Sequence, residues 1–317
     1  SKENFSVGDF SLFIYCLGFV SDYTAWWGNF MAHYQQTGVS FGRMKNLIQN
    51  EEGDKLIYNR KMNITGEIKD FAHRELKNYE PLEKLRIKNL SYNYPQSEKG
   101  IENINFEINQ GEFVVVTGRI GSGKSTLLKV IIGLVSAEKG KIEWNKNTIN
   151  QPEKFFLPPY SAYTPQIPGL FSDTIENNIL LGTEKNDEKM NSAIKSAVLE
   201  YDLEEMQKGL HTVIGTKGVK LSGGQMQRTA AARMFARNAE IYFIDDMSSA
   251  LDVNTEKILW DRFFENRNKT CVAVSHRKST LQKADKIVVM KDGKVEAVGK
   301  LDELLESCEE MQQLWSQ

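Results

Sequence analysis

The run FVVVTGRIGSGKST, residues 113–126, sets a continuous apolar strand directly before G-x-x-x-x-G-K-S, and the LLKVIIGLV that follows reads as a helix. A strand, a glycine loop and a helix in that order leave few architectures open. Glycines allow backbone N–H groups to curl around phosphates, and a helix N-terminus adds partial positive charge. Gly118, Arg119, Ile120, Gly121, Ser122, Gly123, Lys124, Ser125 and Thr126 are therefore candidates for binding the phosphates of a nucleotide. Lys124 is placed to contact the β- and γ-phosphates, and the Ser125 hydroxyl to ligate Mg2+. A glycine turn without a ligand is the competing reading, and Lys-Ser at this offset speaks against it.

Further on, IYFIDDMSSALD (241–252) reads as a buried strand that delivers adjacent carboxylates. Carboxylates at a strand's end are a usual way to hold a hard cation beside a reacting water. With phosphate machinery elsewhere in the chain, Asp245 is the expected metal residue and Asp246 faces the attacking water. Between the two motifs, KLSGGQMQRTAAARMFAR opens an alanine-rich helix with a Ser-Gly-Gly turn, a second anion-binding arrangement. Ser222 is equally a fair N-cap of an ordinary helix.

The 317 residues carry 40 Lys and Arg against 42 Asp and Glu, so the basic footprint of a nucleic-acid binder is missing and no nucleic acid is expected as partner. Cys16, Cys271 and Cys308 lack paired spacing, which suggests neither zinc nor a disulfide framework and fits a reducing setting. Cys271, within TCVAV, reads as a small residue of a buried strand. The chain starts SKENFSVGD with no basic region before its first apolar run, so no signal peptide is indicated and the start is expected to be internal to a longer protein.

Residues 10–34 are mostly apolar and aromatic, about as long as the ~20 residues a bilayer crossing requires. Asp22 and His33 weaken that reading, and a buried or interfacial amphipathic helix competes with it. Trp26, Trp27 and Tyr34 resemble an interfacial aromatic belt. Charged, polar sequence over 42–82 suits a helix extension and a surface linker. Short strands (LRIKNLSYNY, IENINFEI, EFVVVT) and alternating helix and strand patterns follow, an α/β domain with an antiparallel opening portion.

With the glycine loop, LSGGQ and the aspartate pair in this order, the sequence resembles the ATP-binding domain of ABC transporters from about Leu85 to the end. The resemblance implies the α/β P-loop NTPase fold of that family: a parallel core sheet, an antiparallel β subdomain and a helical subdomain. Tyr94 in SYNYP matches the aromatic that stacks on adenine, with Tyr92 on the same strand face as a competitor. Gln166 in AYTPQIPGLF matches the glutamine that touches Mg2+ and faces the membrane helices. Ser222, Gly223, Gly224 and Gln225 match the signature that completes an ATP site on a partner. Ser249, Ala250, Leu251 and Asp252 match a loop that crosses to the opposite subunit, and His276 matches the histidine at the γ-phosphate. TVIGTKG departs from the exporter pattern at Thr216, where an acidic residue is common.

The beginning is similar to the last membrane helix of an exporter-type half. The implied organisation is a terminal transmembrane helix with its cytoplasmic extension over 1–45, a linker over 46–83 and the ATP-binding domain over 84–317. The parent protein is then multi-pass in the cell membrane, in contact with lipid, with the ATP-binding domain in the cytoplasm. The expected partner is a second ABC half-transporter, in a homo- or heterodimer. In the family, Glu usually follows the metal aspartate. Here Asp246 retracts the carboxylate by about one methylene, which predicts slow hydrolysis and favours a heterodimer, whereas His276 argues against a slow site. Two rivals share these motifs: a mechanical ATPase of DNA maintenance, which needs a long coiled-coil insertion that is absent, and a nucleotide-gated regulatory module with little turnover.

Overall fold

The computed structural model describes residues 6–47, 79–95, 97, 99–215, 218–247, 251–265 and 269–316. The chain divides into two units, residues 1–76 and 77–317. In the first unit, helix α1 covers Val7–Leu47. Ser6 and Asp9 cap its start reciprocally: Asp9 N donates to Ser6 Oγ at 3.2 Å, and Ser6 N to Asp9 Oδ2 at 2.9 Å. Tyr23, Trp26, Trp27 and Phe30 recur at helical spacing, and the Trp26 and Phe30 rings stack at 5.8 Å. No helix among the described residues is long and apolar enough to cross a membrane. Helix α1 has ample length, but Asp22, His33 and interspersed Gly, Ser and Thr dilute its apolar run, so the expected spanning helix is not supported by apolarity.

The second unit opens with β1 (Lys84–Asn93) and β2 (Gly100–Asn109), an antiparallel pair. Burial alternates along β2, and the register slips where Asn89 and Asn103 take left-handed backbone (φ 49° each), a conformation asparagine tolerates. Next come β3 (Phe113–Gly118), α2 (Lys124–Ile131), β4 (Lys139–Trp144), β5 (Asn147–Thr148), α3 (Pro152–Phe155) and β6 (Ser161–Thr164). The apolar run after the glycine loop continues to Val135, yet α2 stops at Ile131. Gly133 turns the chain at φ +76°, where a Cβ would lie 2.2 Å from Glu153 N.

A helical portion follows: α4 (Ile175–Leu180), α5 (Asp187–Ser196), α6 (Glu200–Glu205), one 3-10 turn (Gly209–His211) and α7 (Gly223–Phe235). The chain then forms β7 (Ile241–Asp245), α8 (Val253–Phe264), β8 (Thr270–Val274), α9 (Lys278–Leu281), β9 (Lys286–Lys291), β10 (Lys294–Gly299), α10 (Leu301–Ser307) and α11 (Glu309–Ser316). A four-stranded antiparallel sheet has the order β2-β1-β4-β5, and a six-stranded sheet the order β10-β9-β3-β8-β7-β6, parallel except for β10.

Strands β3, β7 and β8 are buried along their whole length, as strands covered on both faces must be. On β3, Phe113 and Val115 enter one apolar cluster and Val114 and Val116 the other, so this strand joins two cores. Because β3, β7 and β8 run parallel, their C-terminal ends meet at one edge of the sheet, where open α/β sheets place ligand sites. Cys271 is fully buried in β8.

Candidate functional site

The phosphate loop starts where β3 ends. Gly118 takes φ +145°, and a Cβ there would meet the Met290 carbonyl at 2.1 Å, so only glycine fits. Gly121 (φ +86°) and Gly123 (φ +95°) continue the curl. Gly123 is the N-cap of α2 and provides no side-chain cap, which leaves the first turn's N–H groups for a ligand. Lys124 folds back over the loop, its Nζ donating to the carbonyls of Gly118 and Arg119 at 2.7 Å each. Burial lowers the ammonium pKa, opposed by the nearby Asp246 and Asp245. Gly121, Gly123, Lys124, Ser125 and Thr126 line a cavity of about 380 Å³ together with Tyr94, Ser97, Lys99 and Gly100.

The same cavity separates the two tyrosines. Strand β1 ends at Asn93, so Tyr94 lies beyond it, 37% exposed, with its hydroxyl 3.2 Å from Thr126 Oγ1. Tyr92 packs against the apolar cluster beneath the antiparallel sheet and meets Tyr94 edge to face at 5.0 Å. Tyr94 is the aromatic presented to the cavity.

Strand β7 carries Asp245 to the glycine loop, where Ser125 Oγ donates to Asp245 Oδ1 at 2.8 Å. Burial pushes the Asp245 pKa up, against the Ser125 bond, Lys129 and Lys124. These are hard oxygen donors of the kind Mg2+ takes, and a cation held by few side chains needs phosphate oxygens and water as well. No group of three or more His, Cys, Asp or Glu able to hold a metal occurs among the described residues. Asp246 follows in left-handed backbone (φ 45°), its N–H donating to the Val274 carbonyl at 3.2 Å. Its Oδ2 accepts from Gln166 Nε2 at 3.1 Å, so Gln166 stands on the second aspartate and not on the Ser125–Asp245 pair. Burial raises the Asp246 pKa, with His276, the Gln166 bond and Arg277 pulling it down and Asp245 adding to the rise. His276 follows β8 and is exposed.

Ser222 and Gln225 form a reciprocal capping box on α7: Gln225 N donates to Ser222 Oγ at 3.2 Å, and Ser222 N to Gln225 Oε1 at 3.0 Å. Ser222 and Gly223 are exposed. Helix α7 also reaches the Gln166 segment, through Gln227 Nε2 to the Gln166 carbonyl at 3.2 Å. Leu251 is buried, and Asp252 caps α8 through bonds from Asn254 N and Thr255 N at 3.1 and 3.0 Å. Thr216, Ser249 and Ala250 lie outside the described residues.

Two arrangements escape motif reading. Glu256 in α8 is buried, pairs with Arg277 at 2.6 Å and accepts from Thr280 Oγ1 at 2.8 Å, while Arg277 Nη2 donates to the Leu251 carbonyl at 2.8 Å. A glutamate in register with Leu259, Trp260 and Phe263 is the sequence signal for it. Arg228 on α7 grips Asp202 on α6 with two bonds of 2.6 and 2.8 Å. No short motif encodes that pair.

The ABC transporter family model matches residues 101–249. This chain belongs to the ABC transporter family. The nisin transport ATP-binding protein of Lactococcus lactis subsp. lactis is 38% identical over 73% of this chain and 40% of its own. Heavy metal tolerance factor 1 of Caenorhabditis elegans is 34% identical over 84% of this chain and 33% of its own. A bacterial Atm1-family ABC exporter, solved with ATP bound, superposes with TM-score 0.68 at 26% identity, over 74% of this chain and 41% of that one. The chain thus spans about a third to two fifths of the length of the curated relatives it matches. The ABC ATPase fold and an ATP-binding role follow, and relatives named for transport and export favour neither the DNA-maintenance nor the regulatory rival.

Proposed function

We propose that this chain binds MgATP in the cavity between Tyr94 and the loop of residues 118–126 and hydrolyses it to drive an exporter-type ABC transporter. The observation that carries the reading is the 2.8 Å bond between Ser125 Oγ and Asp245 Oδ1, which joins the glycine loop to the acid of β7. Tyr94 offers its ring to the base, and Lys124 turns from the Gly118 and Arg119 carbonyls to the phosphates. Ser125 and Asp245 would hold Mg2+ through hydroxyl and carboxylate oxygens, with Gln166 close by. The metal would neutralise charge on the phosphate oxygens. Asp246 orients and deprotonates water, and its burial-raised pKa suits a base. His276 completes the γ-phosphate side.

Ser222, Gly223, Gly224 and Gln225 are exposed or half-buried at the start of α7, where Ser222 and Gln225 cap their own helix. This supports a composite site in which they close over the nucleotide of a second half-transporter, with a heterodimer favoured by the short Asp246. We place the parent protein in the cell membrane, with α1 belonging to its lipid-embedded part and the ATP-binding domain in the cytoplasm. The test is MgATP binding by the full chain. Lys124→Ala should abolish high-affinity binding, and unchanged affinity would overturn the loop assignment.

A further inference from the structure

We infer that Glu310, on the last helix of the chain, is a positioning residue for the phosphate loop and acts through Arg119. The inference rests on the reading of residues 118–126 as the ATP site. Three positive-φ glycines give this loop little intrinsic preference for one shape. Its inner side is tied by Ser122 N on the Arg119 carbonyl (3.1 Å), Gly293 N on the Ser122 carbonyl (3.2 Å) and the Lys124 ammonium. The Arg119 side chain ties the loop to the last helix. Arg119 Nε donates to Glu310 Oε1 at 2.5 Å and Nη2 to Oε2 at 3.2 Å, and Nη2 also donates to Gln313 Oε1.

The Glu310 side chain is only 1% exposed, and Lys291 Nζ stands 3.6 Å from its Oε2. A carboxylate that buried is costly unless paired, so it is a fixed anchor to which the loop arginine is drawn. The two-pronged geometry fixes direction as well as distance. The same helix also meets the segment after His276, where Lys278, two residues on, lies 5.5 Å over the Trp315 ring. Arg119 is also the residue whose carbonyl receives Lys124. Pinning its side chain therefore fixes the peptide on which Lys124 rests. Loss of the pin should lower the fraction of loops already shaped for phosphates, which weakens binding and leaves the chemical step alone.

The experiment measures the MgATP dissociation constant and kcat of the full chain as wild type, Arg119→Ala, Arg119→Lys, Glu310→Ala, the double alanine variant and Lys124→Ala. Arg119→Ala and Glu310→Ala should each weaken binding on the order of tenfold, the worth of one or two charged hydrogen bonds. The double variant should be no weaker than either single, Arg119→Lys should recover part of the loss, and Glu310→Ala should keep the wild-type kcat. The Arg119 side chain is 57% exposed, so its variants stay informative even if Glu310→Ala fails to fold. Wild-type affinity in Arg119→Ala overturns the inference. So does tighter binding in Glu310→Ala, which would show the glutamate withholding the guanidinium from phosphate. A wild-type chain that does not bind MgATP removes the ATP-site reading and this inference with it, whereas binding unaffected by Arg119→Ala removes this inference alone.

Discussion

Asp246 combines a short side chain, left-handed backbone and a hydrogen bond to Gln166. Lengthening it to glutamate moves the carboxylate outward by about one methylene, so Asp246→Glu should raise ATP turnover on the order of ten- to a hundredfold in a steady-state assay, since a ~1 Å misplacement costs about that much. Its ionisation also bears on stability. Burial holds the folded pKa above the ordinary aspartate value, so the native state binds this proton more tightly than the unfolded chain. The charged carboxylate then costs stability once the pH exceeds that raised pKa, and the cost disappears as the pH falls below the ordinary range near ~3.9. Asp246→Asn should accordingly melt higher than wild type at neutral pH, with the gap closing in acid, while turnover is lost. A melting series over pH checks it. The residue types at the glycine loop and the aspartate pair were legible because each motif is local. The choice between Tyr92 and Tyr94 was not, because β1 ends at Asn93 and frees Tyr94 from the strand's alternation.

At the scale of elements, strands buried on both faces announced themselves as uninterrupted apolar runs, and VVV, IYFI and CVAV sit at the centre of the parallel sheet. Ends of elements were harder to read. The apolar run past α2 conceals a turn forced by Gly133 against Glu153. The ties between helices were invisible, since Asp202 and Arg228 are distant in sequence and each reads as an ordinary surface charge. Their side chains are only 9% and 16% exposed, so removing one partner strands the other. Asp202→Ala should cost about 3 kcal/mol. In a domain of this size that lowers the melting temperature by roughly 6–12 °C, which calorimetry can read.

For the whole molecule, the α/β architecture and its antiparallel portion follow the sequence reading, whereas the apolarity expected of the N-terminal helix does not. If the nucleotide sites are shared between two copies, a chain carrying Lys124→Ala and one carrying Ser222→Arg should be inactive alone and regain part of their turnover when mixed, because one intact site is rebuilt. Mixed chains that stay inactive would exclude a functional pair of identical subunits. The cap on α7 has a bearing on how such closure proceeds. A serine hydroxyl accepts through lone pairs and donates through one proton, and the bond from Gln225 N engages only a lone pair of Ser222. Among the described residues nothing takes that proton, so it is left to give. An incoming phosphate oxygen can take it while the first turn of α7 stays wound, so the encounter needs no melting of the helix end and no later step to rebuild it.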